Sequence, residues 1–254
     1  ASTQNVHFNA LIFLYERVLG QTLGTLPQIE RATRPARLPN VPATHEDTLA
    51  IVESVGGDVG LALRLTYGAA LRVSDTLRIR LKDLDFKREE ILIRGSKGDK
   101  DRLVPMPVKL KSELLNLIER REREHAIDKR NREDWVWLPN LLGTKYPKAH
   151  FDTQWQYLFA SQTITTDPQL GKRGRHHLMP ETLQNAMRKA CQRLKLKKCV
   201  TPHGLRHAAA REIERRGTPV SEIQKLLGHS HVDTTMRYLG QGTGGKPKIN
   251  GPLD

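Results

Sequence analysis

The sequence predicts a mainly α-helical fold with one small antiparallel β-sheet. Three observations carry this. Helical apolar spacing recurs through most of the chain. Helix-start signals precede it at Thr44-His45-Glu46-Asp47 and Thr201-Pro202. Two short β-rich runs flank a glycine-containing turn in FKREEILIRGSKGDKDRLVPMP.

The elements follow in order. In 6–19, Leu11, Leu14, Tyr15, Val18 and Leu19 are spaced for an amphipathic helix that Gly20 and Gly24 end. RATRPARLPNVP, from Arg31 to Pro42, is too rich in proline to be helical and reads as an extended basic linker. One helix cannot bury its apolar face alone, so 1–41 is expected to be an incomplete first domain. The main domain is expected over 42–254. Its helices are predicted at 46–55, 58–69 and 74–83. Strands at Glu90–Ile93 and Arg102–Pro105 follow, then a charged helix over 107–128. Residues 133–180 show no clear period; Trp135, Trp137, Trp155 and Tyr157 are candidate packing anchors, and 160–180 is a polar excursion containing LGKRGRHH. Helices resume over 180–195, 203–216, 218–227 and 231–239. The tail LGQGTGGKPKINGPLD is expected to be extended.

The 254 residues carry 42 Lys and Arg against 28 Asp and Glu, a formal net charge of +14. Such a balance suits a polyanion, because Lys and Arg displace counterions from a nucleic-acid backbone. No apolar run approaches a membrane span. The first residues lack the basic leader and cleavage site of a secretory signal. Cys191 and Cys199 alone make no disulfide framework, so a reducing, cytoplasmic compartment is expected.

Three segments carry unusual groups. Arg72 follows a Gly-Ala-Ala-Leu break at a predicted helix start. Lys97 and Lys100 lie in the turn GSKGDKDR. TPHGLRHAAAREIERRGTPVSEIQKLLGHSHVDTTMRYLG gathers His203, Arg206, His207, His229, His231 and Tyr238. His203 lies one helical turn before Arg206 and His207, so all three share a face. Gly228 stands where a helix stop is expected, and His229 follows it. Each feature alone is ordinary: a surface arginine, a hairpin tip, a structural histidine. Together they are the parts of metal-free phosphoryl transfer. Two arginines can clamp the non-bridging oxygens of a phosphodiester. Histidines can donate to the same oxygens or move a proton. A lysine can protonate the leaving oxygen, and a tyrosine can serve as covalent nucleophile.

These segments resemble, in order, the boxes of the tyrosine recombinase (phage integrase) family. ALRVSDTLRIRLKDLDF matches the first box with Arg72, and GSKGDKDRLVPM matches the lysine turn with Lys97. His203-Gly204-Leu205-Arg206 and Leu227-Gly228-His229 match the next two, and Tyr238 stands at the nucleophile position. The resemblance runs from about residue 42 to the end. It implies the catalytic-domain fold of that family and a 3′-phosphotyrosyl intermediate formed without metal or cofactor. Arg72, Lys97, His203, Arg206, His229 and Tyr238 would carry the reaction, with Asp75 and His207 in support. The first domain would be the last part of a core-binding domain. Partners would be DNA and three further copies of the chain, assembled as a tetramer on recombination sites, with no membrane. Lys100, Arg102, Lys172, Arg173, Arg175, His176 and His177 are then expected to face DNA.

Within the family, NALIFLYERVLG, GPLD and the stretch RGRHHLMPETLQNAMRKACQRLKL are similar to integron integrases. That likeness implies sites that include folded single-stranded hairpins, with 160–180 contacting extrahelical bases and 240–254 docking on a neighbouring protomer. It places the protein in a bacterial cytoplasm, on the nucleoid. Asp75 departs from the pattern, which usually has Glu there. Three rivals stand beside this reading. Cys199, His203 and His207, joined by His176 or His177, could hold zinc. The chain could be a catalytically silent DNA-binding regulator of the same fold. It could also be a type IB topoisomerase.

Overall fold

The computed structural model describes residues 2–21, 44–96, 100–139, 142–196, 199–229 and 231–239. The chain divides into two compact units, 1–40 and 41–254. In the first, helix α1 (Ser2–Phe13) runs into a π-helical turn at Leu14–Val18. Gly20 ends it with a left-handed φ of 62°. Leu11, Leu14, Tyr15, Val18 and Leu19 are all exposed. The linker 31–42 and the tail 240–254 lie outside the described residues.

The second unit is mainly helical with a small antiparallel sheet, as the sequence predicts. Thr44 caps α2 (His45–Glu53), its side chain accepting from the Asp47 amide at 3.1 Å. Helix α3 (Gly57–Gly68) is the central element, with Leu61, Ala62, Leu63 and Leu65 at most 5 % exposed. Its buried flank packs on α2, on α7 (Pro180–Arg193) and on α8 (Pro202–Arg215). Helices α9 (Val220–Leu227) and α10 (Val232–Leu239) pack on α8. Leu227 and Leu239 join Ala70, Ala209, Ala210 and Ile223 in a second, smaller apolar cluster. Burial of these faces is what holds short helices that would not persist alone.

Helix α4 (Val73–Leu77) is shorter than the 74–83 expected. The chain beyond it is drawn into strand-like pairing instead. The Leu81 amide donates to the Gln156 carbonyl at 3.1 Å, and the Leu158 amide to the Ile79 carbonyl at 2.9 Å. The sheet then follows as β1 (Leu84–Asp85), β2 (Glu90–Ser96) and β3 (Lys100–Pro105), antiparallel in the order β1-β2-β3. Strand β1, with two residues, had no pattern to announce it. The charged helix is α5 (Lys111–Arg130), followed by a short α6 (Leu142–Lys145). The polar excursion forms a small hairpin of β4 (Thr165–Thr166) and β5 (Arg173–Gly174). Gly174 is needed there, since a Cβ would lie 1.6 Å from the Trp135 carbonyl oxygen.

Arg80 locks this region to the helical core. It is 4 % exposed. Its Nη1 donates to the Trp155 carbonyl at 2.7 Å and its Nη2 to the Trp137 carbonyl at 2.8 Å. The guanidinium carbon sits 3.8 Å from the centre of the Tyr157 ring. Replacing it with methionine would keep the volume and strand two buried carbonyls. Arg80→Met is expected to cost about 2–4 kcal/mol, read as a midpoint lowered by roughly 5–10 °C in thermal unfolding.

Candidate active site

Four of the predicted catalytic groups, Arg72, His203, Arg206 and His229, come together where α4, α8, β3 and the end of α9 meet. Thr201 caps α8, accepting from the Gly204 amide at 3.1 Å, and Pro202 takes the first helical position. This start places His203, Arg206 and His207 along the first two turns. Arg206 is fully buried. Its Nη1 donates to the Ala70 carbonyl at 2.9 Å, and its Nη2 donates to the Leu227 carbonyl. Ala70 holds a left-handed φ of 49°, an unfavourable conformation for a residue with a Cβ. The Leu71 amide closes back on the Thr66 carbonyl at 2.9 Å, so the Gly-Ala-Ala-Leu break is the C-terminal cap of α3. That cap turns one carbonyl toward Arg206 and starts α4 with Arg72 as its N-cap residue.

Asp75 lies one turn into α4 and is 9 % exposed. Its carboxylate accepts from Arg102 Nη2 at 2.7 Å and lies 3.6 Å from Arg72 Nη1. Asp in place of the usual Glu therefore still reaches an arginine. Gly228 ends α9 with a left-handed φ of 63° and presents His229. His229 Nε2 is 3.4 Å from Arg206 Nη2, and Nδ1 is 3.0 Å from the Thr235 hydroxyl. A guanidinium has no acceptor, so Nε2 must be the unprotonated nitrogen and Nδ1–H donates to Thr235. Burial, then Arg206, Arg72, His207 and Arg102, lower the pKa of His229 from 6.5 to about 4. Burial and the same two site arginines, Arg206 and Arg72, also lower that of His203. The His203 and His207 rings meet edge to face, 4.9 Å between centres. Helix α10 carries Tyr238, whose side chain lies outside the described residues, as do Lys97 and the side chain of Lys100.

The residues expected to face DNA fall into two groups. Lys172 is exposed, and Arg173, 57 % exposed, pairs with Glu133 at 2.8 Å. The other arginines are engaged within the protein. Arg102 is 10 % exposed and turned inward to Asp75. Arg175 grips Asp128 with Nε at 2.6 Å and Nη2 at 2.9 Å, and donates to the Ser161 and Gln162 carbonyls. Both guanidiniums are thus engaged with carboxylates of the protein itself. His176 and His177 line a cavity of about 400 Å³ together with Arg78, Trp135, Trp137 and Tyr157. The two imidazole rings lie 4.0 Å apart, and His177 meets Tyr157 edge-on at 5.1 Å. Trp135 and Trp137, expected only as packing anchors, form part of this wall. Their alternation along an extended segment was the available signal. Thr235 and the Ala70 carbonyl had none.

Among the described residues, no three His, Cys, Asp or Glu side chains are grouped to hold a metal ion. Nor is any helix among them long and apolar enough to cross a membrane. Residues 50–242 match the phage integrase family. The chain belongs to that family, the tyrosine recombinases. An "Integrase/recombinase" of Escherichia coli is 36 % identical over 253 residues, covering all of this chain and 75 % of the relative. The tyrosine recombinase XerA of Pyrococcus furiosus is 27 % identical over 198 residues, 77 % of this chain and 55 % of XerA. The fold agrees with this membership. A crystal structure of XerA recombinase superposes with a TM-score of 0.57 at 24 % identity, over 81 % of this chain and 61 % of that one. XerH bound to its difH substrate gives 0.56 at 21 %, over 93 % and 61 %.

His229 has a pH signature. Its pKa is depressed in the folded state, so between about pH 6.5 and 4 the unfolded chain binds a proton that the folded one refuses. Stability therefore rises with pH across that window and falls on acidification. His229→Gln is expected to lose less stability than the parent when urea unfolding at about pH 5 is compared with about pH 7.

Proposed function

We propose that the chain cleaves and rejoins DNA as a site-specific recombinase of the integron-integrase type, through a 3′-phosphotyrosyl intermediate and without metal. The observation that carries this reading is the convergence of Arg72, Arg206, His203 and His229 around one polar site, with Tyr238 on the helix that packs beneath it. Residues 42–254 are read as the catalytic domain, and 1–41 as part of a core-binding domain with its linker.

Arg72, Arg206, His203 and His229 hold the scissile phosphate. The two guanidiniums match its non-bridging oxygens and keep their charge at any working pH. As the phosphate enters, its negative charge offsets the arginines that hold His229 neutral, and the imidazole becomes basic enough to take a proton. The Tyr238 oxygen attacks phosphorus as its proton passes to His229 Nε2, which gives up its contact with Arg206 and then donates to a phosphate oxygen. The bond from phosphorus to the 5′-oxygen breaks, and Lys97 supplies the proton to that leaving oxygen. A 5′-hydroxyl from a partner strand then reverses the step. The phosphotyrosine conserves the bond, so no nucleotide is consumed. Exchange between two sites calls for four protomers, and the tail 240–254 is read as the arm that links neighbours. Lys172 and Arg173 are the exposed cations of the hairpin and are read as phosphate contacts that position DNA without reading sequence.

The integron-type reading rests on the aromatic cavity. Trp137, 46 % exposed, and the paired histidines offer a flat face and ring nitrogens to a base that has left its stack, against a wall that buried Trp135 and Tyr157 complete. The cytoplasm of a bacterium, on the nucleoid, is the compartment this activity implies.

Two experiments test these claims. On a nicked duplex built from a site enriched out of random DNA by binding, the parent should form a covalent complex in EDTA, and Tyr238→Phe should form none. DNA binding without any covalent band would favour a silent regulator, and relaxation of supercoils without site preference a topoisomerase. For the cavity, Trp137→Ala should weaken binding to folded single-stranded hairpin sites by roughly tenfold or more, with plain duplex affinity unchanged. Equal affinity of the parent for both forms of DNA would sink the integron-type reading.

A further inference from the structure

Arg102 sits at the junction of three elements that the proposed chemistry needs. It belongs to β3, whose partner strand β2 ends at Ser96, the residue before Lys97 in sequence. Its Nη2 donates to Asp75 of α4 at 2.7 Å. Its Nε donates to the Leu226 carbonyl at 3.3 Å, near the end of α9. The side chain also lies against the turn that presents His229: a Cβ on Gly228 would meet Arg102 Cδ at 3.2 Å. It is nine-tenths buried, and its guanidinium is turned to Asp75 and the end of α9.

We propose that Arg102 is a positioning residue, a fork that sets Arg72 through Asp75 and the His229 turn through the Leu226 carbonyl. The inference rests on the recombinase reading for what Arg72 and His229 do, but not for the contacts themselves. The short contact to Arg102 fixes the Asp75 carboxylate and keeps it 3.6 Å from Arg72 Nη1. Without the fork, Asp75 closes on Arg72 and competes with a phosphate for the same guanidinium. At the same time the end of α9 loses the donor bound to the Leu226 carbonyl. The expected defect is therefore in bond breaking and not in DNA affinity. A planar fork with separated donors does this work; an ammonium is a single point.

Arg102→Met and Arg102→Lys separate this role from a phosphate contact. On the nicked site DNA at saturating protein, both variants should cleave more slowly than the parent, Arg102→Met by roughly a hundredfold and Arg102→Lys by roughly tenfold. Both should keep parental DNA affinity and parental salt dependence. The Met variant also removes a positive charge near His229, among Arg206, Arg72 and His207. In an NMR titration of the His229 ring its pKa should therefore rise, while Arg102→Lys should hold it. Parental cleavage at saturation, with weaker binding and a salt slope reduced by about one, would overturn the proposal in favour of a phosphate contact. The backbone amide of His229 should shift in both variants, since both lose the fork against the α9 turn, and an unmoved amide in the charge-keeping Lys variant would also overturn the proposal. If the parent itself fails to cleave, the recombinase reading falls, and the His229 amide in Arg102→Lys, which keeps the charge and loses the fork, still decides whether Arg102 sets the turn. Should Arg102→Met not fold, the Lys variant decides: parental cleavage with the fork gone would refute the inference.

Discussion

The buried Arg206 is the constraint on which the site depends. Taking a permanent charge out of water is costly unless its donors are satisfied. Here the two Nη groups donate to the carbonyls of Ala70 and Leu227, which belong to two helix ends, while the buried Nε has no hydrogen-bond partner among the described residues. Both ends are left-handed caps, at Ala70 and at Gly228. One cap starts the segment with Arg72, and the other releases the segment with His229. The charge and the backbone around it thus specify one another. Loss of Arg206 would undo the geometry of both caps as well as remove a cation.

The same arrangement explains the state of the histidines. Cations crowd His229 in a half-buried site, so its imidazole stays neutral with Nδ1–H turned to Thr235. On the proposed mechanism, an arriving phosphate would offset these cations and make the imidazole more basic. Asp75 is the counterweight, and its carboxylate is divided between Arg72 and Arg102. A second layer, built on Arg80 and Arg175, holds the aromatic cavity, and it too spends guanidiniums on internal carbonyls and carboxylates. A net charge of +14 therefore overstates the cation density that meets a partner, because several arginines are consumed as struts.

Most of the helical scaffold was legible in the sequence, since it rests on local signals. Thr44, Thr201 and Gly228 act as the caps their residue types suggest. The site arginines and histidines were legible because five short segments, each ordinary alone, follow the order of the family's boxes. What escaped was decided by partners distant in sequence. Helix α4 stops at Leu77 because residues near 156–158 compete for the backbone beyond it. Nothing near Arg102 or Arg175 says that Asp75 or Asp128 will claim it. Residues 133–180 have no period to read, as they are held by scattered backbone bonds and by rings.

The most direct measurement is the protonation of the His229 ring nitrogens by NMR, in Tyr238→Phe protein with and without bound site DNA. The account predicts a neutral ring, protonated at Nδ1, at about pH 7 in the free protein, with its pKa raised once a DNA phosphate sits between Arg72 and Arg206. A ring already charged in the free protein, or a pKa indifferent to bound DNA, would contradict it.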